Sequence, residues 1–297
     1  MNALLRGVLG AGLCGQALLA NVAAASETEL PAIGHASVGW QQDDADGEAT
    51  TLALALPLSA VWYLNASQSK ADNQIASDGE DERVSTRSRR FGISLDQTGW
   101  GGSLSWLDYD DETVLATQET QLLLRHRGER VELGLELSAR EHEVTVQLPL
   151  RTAEERFDSR GVGLHVGVNF ANDWRLFGGW QQYHYDDARV LDEAFGSRLL
   201  DYPRLYNQLL SQRDQADGAL ADRNAWLGVD LPLAEHLLTF EHARSELEID
   251  GSQFRTNTAI LALSLAEHWG LDLSAGVSTG DDAEDIRFAG VTLHLFW

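Results

Sequence analysis

Charged side chains alternate with apolar ones in several segments of the chain. Glu132 and Glu136 lie in such a segment, where every second residue from Val131 to Leu137 is apolar. A period of two places successive side chains on opposite faces of a β-strand, so these acids share the face opposite to the leucines. Carboxylates and guanidinium groups on the polar side of such a wall could set ion preference in a water-filled passage.

Histidine and serine pairs could carry nucleophilic catalysis if a base lies within hydrogen-bond reach of the hydroxyl. His35 and Ser37 are two residues apart and would share a strand face, whereas His242 and Ser245 would not. Neither pair lies in a recognisable nucleophile motif. The sequence therefore assigns no catalytic residue, and a rim-facing or lipid-facing enzyme that modifies lipid or cleaves protein is kept as a minor alternative.

Two clusters of acids, at 43–48 and 281–285, carry the oxygen ligands that calcium and magnesium prefer. The segment 44–47 matches part of a calcium-binding loop, but Gln42 and Ala53 occupy positions where that loop needs ligands. Solvated loop charge accounts for both clusters. The sequence therefore assigns no metal and no cofactor.

The first 25 residues predict a cleavable signal peptide. Arg6 precedes an apolar run at 7–20, and the alanines at 23–25 supply small side chains for a signal peptidase. The run is too short for a transmembrane helix, which needs about 20 apolar residues. We therefore predict a signal peptide at 1–25 and a single domain at 26–297.

The chain is strongly acidic, with 46 Asp or Glu against 22 Lys or Arg and a formal net charge of −24. Nucleic acid is excluded as a partner, because phosphate binding needs a basic face. The only cysteine, Cys14, lies within the predicted signal peptide. The remaining chain therefore has no thiols, which suits an oxidising compartment.

The segments of alternating polarity predict a domain built of β-strands. Twelve strands would result if the two weak segments, 34–42 and 237–246, are not strands. We predict fourteen strands, at 34–42, 50–58, 60–69, 86–96, 100–108, 117–126, 130–140, 158–170, 173–185, 222–231, 237–246, 256–265, 269–278 and 286–297.

Long acidic segments and short turns alternate between these predicted strands, which is typical of outer-membrane barrels. The longest segment, 186–221, carries leucines at helical spacings and would either constrict the barrel or cap its surface. The predicted long segments are 43–49, 70–85, 109–116, 141–157, 186–221, 247–255 and 279–285.

One short turn allows a prediction of register. A two-residue turn at 128–129 would pair residues whose numbers sum to 257. Arg125 would then face Glu132, and Gln121 would face Glu136.

The tryptophans are predicted to form two rims, as the two interfaces of a bilayer select. Trp180 falls nearer the middle of a strand. The short-turn rim would hold Trp62, Trp100, Trp174, Trp269 and Trp297, and the long-loop rim Trp40, Trp106 and Trp226.

The last residues alternate apolar positions and stop on an aromatic, which resembles the terminal strand of bacterial outer-membrane proteins. With the signal peptide and the strand pattern, the resemblance covers most of the chain and is to this class, with no family identified. It implies an all-β, transmembrane, antiparallel up-and-down barrel with short periplasmic turns and long extracellular loops. It also implies outer-membrane lipid, lipopolysaccharide and the barrel-assembly machinery as partners. The implied assembly signal is Val291, Leu293, Leu295 and Trp297.

In such a barrel the polar face points inward. The leading hypothesis is a porin-like channel for passive diffusion of small hydrophilic solutes or ions. The alternative is an occluded structural, adhesive or assembly-related barrel, whose inner charges only hold the wall together. The solute and the oligomeric state are left open. The predicted pore-lining residues are Arg90, Asp96, Glu119, Arg125, Glu132, Glu136, Arg140, His165, Asn169, Arg175, Asp230, Asp272 and His294.

Overall fold

The computed structural model describes residues 33–77, 80–111, 115–148, 151–171, 173–186, 220–247, 253–280 and 285–297. The predicted signal peptide and most of the segment 186–221 lie outside the described residues. No helix long and apolar enough to cross a membrane occurs among the residues described.

Fourteen strands form one closed antiparallel barrel, in which each strand pairs with its neighbours in sequence and β14 pairs with β1. This confirms the all-β barrel, and the count is fourteen because both weak segments form strands, β1 and β11. The strands are β1 (His35–Asp43), β2 (Glu48–Pro57), β3 (Trp62–Ser77), β4 (Glu80–Gln97), β5 (Trp100–Asp110), β6 (Leu115–Arg127), β7 (Val131–Leu148), β8 (Arg151–Asn169), β9 (Arg175–Tyr185), β10 (Ala221–Leu233), β11 (His236–Leu247), β12 (Gln253–Ala266), β13 (Trp269–Gly280) and β14 (Ile286–Phe296).

An apolar belt surrounds the outside of the barrel. Leu52 and Leu227, for example, are each 57% exposed. Soluble monomers rarely expose contiguous apolar patches larger than a few hundred Å². A belt that follows the whole circumference is stable in lipid, where closure also satisfies every backbone edge. Other exposed members are Val38, Leu64, Leu104, Leu133, Leu164, Phe240, Leu273 and Leu293.

Eight of the nine tryptophans are exposed on the outer face, and five of them lie at the short-turn end as predicted. The prediction for Trp226 was wrong. Its side chain points into the barrel, where its ring covers Gly179. On β10 the exposed outer residue is the next one, Leu227, which puts Trp226 on the opposite face.

Two of the predicted long segments, 70–85 and 141–157, are mostly strand rather than loop. β3 and β4 continue to Ser77 and Glu80, and the hairpin of β7 and β8 continues to its ends near 148–151. These extensions do not carry the outward apolar residues of the belt, because beyond the belt the outer face meets water. In the β7 extension, polar and apolar residues still alternate from Glu143 to Leu148, but the apolar ones, such as Val144, have the parity of the inner residue His142. The sequence therefore contained a strand pattern in a segment that was predicted to be a loop.

The register predicted for the turn at 128–129 was also wrong. The paired residues sum to 259, so Arg127 lies opposite Glu132 and Arg125 opposite Gly134. The turn lies one residue later than predicted, at 129–130, because Gly128 N donates to Val131 O at 2.8 Å. A shift of two residues keeps every side chain on its face, so the predicted faces survive the error.

The seam between β1 and β14 closes the barrel. Beyond the paired strands, Gly34 N donates to Trp297 O at 2.8 Å, and Trp297 N donates to Gly34 O at 3.1 Å. The indole ring covers Gly34 so closely that a Cβ there would lie 2.3 Å from Trp297 Cε2. Only glycine fits beneath this ring.

Candidate functional site in the barrel interior

The predicted pore-lining residues lie on the inner face of the barrel. Each has the parity opposite to the exposed apolar side chains of its own strand. Asn169 stands at the short-turn end of β8 and is exposed. Whether these residues line a conducting path stays a prediction, and their contacts decide what they can do.

Near the short-turn end, inner charges are paired across neighbouring strands. Arg175 on β9 reaches Glu132 at 3.1 Å and Asp230 at 3.5 Å. Asp230 also accepts a hydrogen bond of 2.7 Å from Thr239 on β11. Arg175 thus bridges two acids and joins β7 to β10.

The same end carries a second ion pair and a histidine chain. Arg127 Nη1 lies 2.7 Å from Asp96 Oδ1. At the seam, His294 Nε2 lies 3.1 Å from Asp272 Oδ2, and its other nitrogen lies 2.9 Å from His35 Nε2. The two imidazoles stack 5.2 Å apart, so side chains reinforce the junction of the first and last strands.

Glu136 is the hub of the central interior. Its carboxylate accepts hydrogen bonds from Gln121 at 2.7 Å and from Gln181, and His165 Nε2 lies 3.0 Å away. Arg90 reaches the same group of side chains through a weak contact of 3.4 Å to Gln121. The Glu136 residue is 5% exposed. It is therefore held in place by three side chains rather than presented to a solute.

Toward the long-loop end, Arg140 forms a buried ion pair. Its Nε lies 3.2 Å from Glu119 Oε1, and both side chains are 3% exposed. Its guanidinium donates to Tyr183 Oη at 2.8 Å and also stands 3.9 Å above that ring. Buried charges need such complete partnering to offset their loss of hydration.

His142 lies above this pair, with each ring nitrogen near a hydroxyl. Nδ1 is 3.0 Å from Thr117 Oγ1, and Nε2 is 2.9 Å from Ser159 Oγ. The neighbouring outer positions are Glu141 and Glu143, so this part of β7 lies beyond the apolar belt. Burial lowers the pKa of His142 to about 3, and the Arg140 charge acts in the same direction.

Two inner aromatics cover glycines on each other's strand. The ring of Trp226 on β10 covers Gly179 on β9, and the ring of Phe177 on β9 covers Gly228 on β10. Trp226 is further contacted edge-on by His165, with ring centroids 5.2 Å apart. Both rings pack against the wall at these glycines and stay partly exposed.

Two inner charges have no polar partner among the described residues. Arg125 Nε is buried without a hydrogen bond. Glu241 on β11 lies opposite Gly228 on β10 and Thr258 on β12. No ion pair or hydrogen bond joins its carboxylate to the residues that the structure describes, and the side chain keeps partial exposure.

The two sides of the interior differ in character. A small-residue wall, which we define by Ser37, Ala53, Ser67, Ser94 and Ser105 on β1 to β5, is partly exposed at each of these positions. From the next strand onward, a polar wall on β6 to β10 is buried at each of its defining residues. That polar wall is Glu119, Glu136, Arg140, Gln181 and Asp230.

Sequence reasoning missed four inner residues that matter to this arrangement: Gln181, Tyr183, Trp226 and Glu241. Strand parity would have found the first three, since each lies an even number of residues from a predicted inner residue of the same strand. Glu241 lies two residues from Thr239, which pairs with the predicted inner residue Asp230, so its face depends on the pairing of β10 with β11.

The acidic segment at 43–48 has a structural explanation. Asp43 Oδ1 accepts backbone hydrogen bonds from Ala45 at 2.9 Å and from Gly47 at 2.7 Å, which closes the turn. Most of the cluster at 281–285 lies outside the described residues. In the described part of the chain, no three His, Cys, Asp or Glu side chains converge as metal ligands would.

No protein-family profile matches the chain, and no curated protein matches it. Among solved structures, it is similar to the CymD monoaromatic hydrocarbon channel, with a TM-score of 0.50, 8% identity, and coverage of 90% of this chain and 88% of that one. The chain has the fold of the bacterial outer-membrane β-barrels. Similarity extends to the KdgM porin in complex with oligogalacturonate, at TM-score 0.42 and 7% identity over 88% of this barrel and 98% of that chain. OpdK of Pseudomonas aeruginosa with vanillate matches at TM-score 0.41 and 10% identity, over 89% and 97%.

Proposed function

We propose that this barrel is a porin-like channel of the bacterial outer membrane, through which small hydrophilic solutes or ions diffuse passively. The observation that carries the proposal is the small-residue wall. Its side chains stay partly exposed inside a closed barrel, from Ser37 near the short-turn end to Ser105 farther along the strands. Polar groups that meet open space on the inside of a lipid-facing barrel are what a water-filled passage requires.

The contacts of the interior keep this space from collapsing. Fourteen strands enclose more width than the eight whose interior side chains can fill. The long charged side chains are tied to one another along β6 to β10, as in the pairs of Arg140 with Glu119 and Arg175 with Glu132. They therefore line one side of the passage and leave the other side to small hydroxyl-bearing residues.

An occluded structural barrel is the second candidate. The near-complete burial of Glu136, Arg140 and His142 favours it, because inner residues of an open wall would contact lumen water. In that case the small-residue wall would face a closed void, and no continuous polar path would cross the membrane.

Catalysis gains no support from the contact of His142 with Ser159 inside the barrel. His142 and Ser159 are 0% and 1% exposed, so a substrate has no route to that hydroxyl. His35, which was weighed with Ser37, instead bonds to His294 across the seam. We infer a structural role for both histidines.

Export by the signal peptide, contact with lipopolysaccharide and insertion by the barrel-assembly machinery complete the proposal. The outward apolar side chains of Val291, Leu293 and Leu295 support it, since they face lipid in the last strand. Trp297 follows them at the seam, where it pairs with Gly34.

The test compares the single-channel conductance of two variants that carry the same substitution at adjacent residues of β3. Ser67→Trp places an indole on the small-residue wall, and Gln68→Trp places the same group on the outer face. A channel predicts a clear drop in single-channel conductance for S67W and wild-type conductance for Q68W. Equal conductance of the two variants, with both folded, would remove the small-residue wall as the path.

A further inference from the structure

The interior surface around Glu241 combines a carboxylate that has no ion pair or hydrogen bond within the described part of the chain with two partly exposed aromatic rings. Glu241 lies directly opposite Gly228, and the ring of Phe177 covers that glycine. Trp226 stands two residues from Gly228 on the same inner face of β10. The carboxylate and both rings therefore border one patch of the lumen.

We propose that this patch is a binding site for small organic cations that carry an apolar part, such as an arylalkylammonium ion. The inference deepens the proposed channel function and rests on it for access from solution. Glu241 would accept hydrogen bonds from the cationic head, and the indole of Trp226 would contact the positive charge or the apolar part. Aromatic faces attract ammonium and guanidinium groups within about 6 Å of the ring centroid.

The charge of the neighbouring residues supports a cation. Asp230 lies two positions from Gly228 on the same face, and its nearest cation, Arg175, is shared with Glu132. Arg90 and Arg125 stand on β4 and β6, where the acids that act on them are Glu136 for Arg90 and Glu132 and Asp96 for Arg125. Both arginines are too far around the barrel to neutralise Glu241 directly.

The inner-face charges described above are acidic in sum, which agrees with the acidic chain. This excess attracts cations into the lumen and raises their local concentration there. They comprise seven acids, Asp96, Glu119, Glu132, Glu136, Asp230, Glu241 and Asp272, against five arginines, Arg90, Arg125, Arg127, Arg140 and Arg175.

The positions of the two rings are determined by glycines in the backbone beneath them. Gly179 and Gly228 remove the side chains that would otherwise hold the rings away from the wall, so each ring packs against the wall at a glycine and stays partly exposed. Arg175 stands 5.5 Å from the ring of Phe177, so part of that face is already used. Trp226 is therefore the main aromatic contact of the site.

The test uses phenethylammonium chloride on the refolded full-length barrel, by current block in planar bilayers and by calorimetric titration in detergent. Glu241→Gln should weaken binding about tenfold, as expected for a lost charge-assisted hydrogen bond. Trp226→Leu should weaken it roughly threefold, in the range of a cation–π contact. Glu143→Gln is the control, because it removes one acid from the water-exposed outer face of β7.

The outcomes separate this site from the channel itself. If phenethylammonium binds in a Glu241-dependent way but the barrel shows no conductance, the binding site is supported and the channel is contradicted. If the barrel conducts but wild type and E241Q bind phenethylammonium equally, the binding site is contradicted and the channel is supported. Binding of neutral phenethyl alcohol as tight as that of phenethylammonium would also overturn the site, because the alcohol shares the ring but lacks the charge.

Discussion

The indole ring of Trp226 lies on Gly179 of the neighbouring strand, and a Cβ at position 179 would stand 2.2 Å from its Cζ2 atom. The relationship is reciprocal, because Phe177 covers Gly228 in the same way. Two glycines thus permit two large rings to occupy the inner wall without projecting across the lumen.

Substitution of Gly179 tests this packing. Gly179→Val should displace the Trp226 ring and lower the free energy of unfolding by about 1–3 kcal/mol, the usual effect of overpacking. Urea unfolding followed by heat-dependent gel mobility measures it. Gly270→Ala is the matched control, since its nearest atom would be 3.5 Å away, an ordinary contact. Equal stability of the two variants would contradict the packing.

Removal of one partner from the buried pair of Arg140 and Glu119 should be costly. Arg140→Gln leaves an uncompensated buried carboxylate, for which a loss of about 3–5 kcal/mol is expected. The double variant with Glu119→Gln should lose less than the sum of the two single variants. Arg160→Gln serves as control, because that exposed pair with Asp186 is expected to contribute at most about 1 kcal/mol. If R140Q and R160Q unfold at the same urea concentration, the pair of Arg140 with Glu119 does not stabilise the barrel as expected.

Protonation of His142 should lower the free energy of unfolding in acid. Its folded pKa is about 3, below the ordinary value of 6.5, so the unfolded chain binds the proton more readily. The contribution is intact above pH 6.5 and declines as pH falls from there toward 3. At pH 4.5 it should amount to a loss on the order of 2 kcal/mol relative to neutral pH. His142→Gln should remove this component, and parallel pH profiles for wild type and H142Q would argue against it.

Trp297 predicts a defect in barrel closure and assembly. Trp297→Ala removes the ring that covers Gly34 at the seam and the terminal aromatic of the implied assembly signal. We expect less heat-modifiable barrel in the outer-membrane fraction, with Trp297→Phe close to wild type. Trp174→Ala, which removes an exposed tryptophan near the same end, is the control. A defect no greater than that of W174A would assign the effect to the aromatic rim instead.

Much of the fold could be predicted because alternation reports directly which face of a strand meets lipid. Leu133, Leu135 and Leu137 identify the outer face of β7, and Glu136 and Arg140 then follow on the inner face. The weak segment that became β1 was also correct, although its outer face carries only Val38 and Trp40 as large apolar residues. Assigning a residue to the inner or outer face of a strand requires only the local sequence pattern.

Register and strand ends could not be predicted in the same way. Pairing at sums of 257 and 259 gives the same faces, so the turn at 128–129 offered no means to choose between them. The extensions of β7 and β8 are joined by the pairing of the two strands and by side-chain contacts between them, such as the ion pair of Arg156 with Glu143 at 2.8 Å. These contacts follow from the pairing and not from the local sequence. The predicted pair of Arg125 with Glu132 was wrong because the turn did not determine the register.

The contacts of the interior depend on neighbours that are distant in sequence. Gln181 lies 45 residues from Glu136, and their hydrogen bond follows from strand order rather than spacing. Trp226 was assigned to a rim because tryptophans favour interfaces, but parity with Asp230 places it inside. Composition shows that the chain is acidic, but it does not place Glu241 opposite Gly228.

Single-channel recording of the refolded full-length protein in a planar bilayer tests the channel most directly. The account predicts stepwise conductance that exceeds the leak of a protein-free bilayer and falls in the S67W variant. Folded, heat-modifiable barrel that shows no steps across the accessible voltages and pH values would contradict it and favour the occluded barrel.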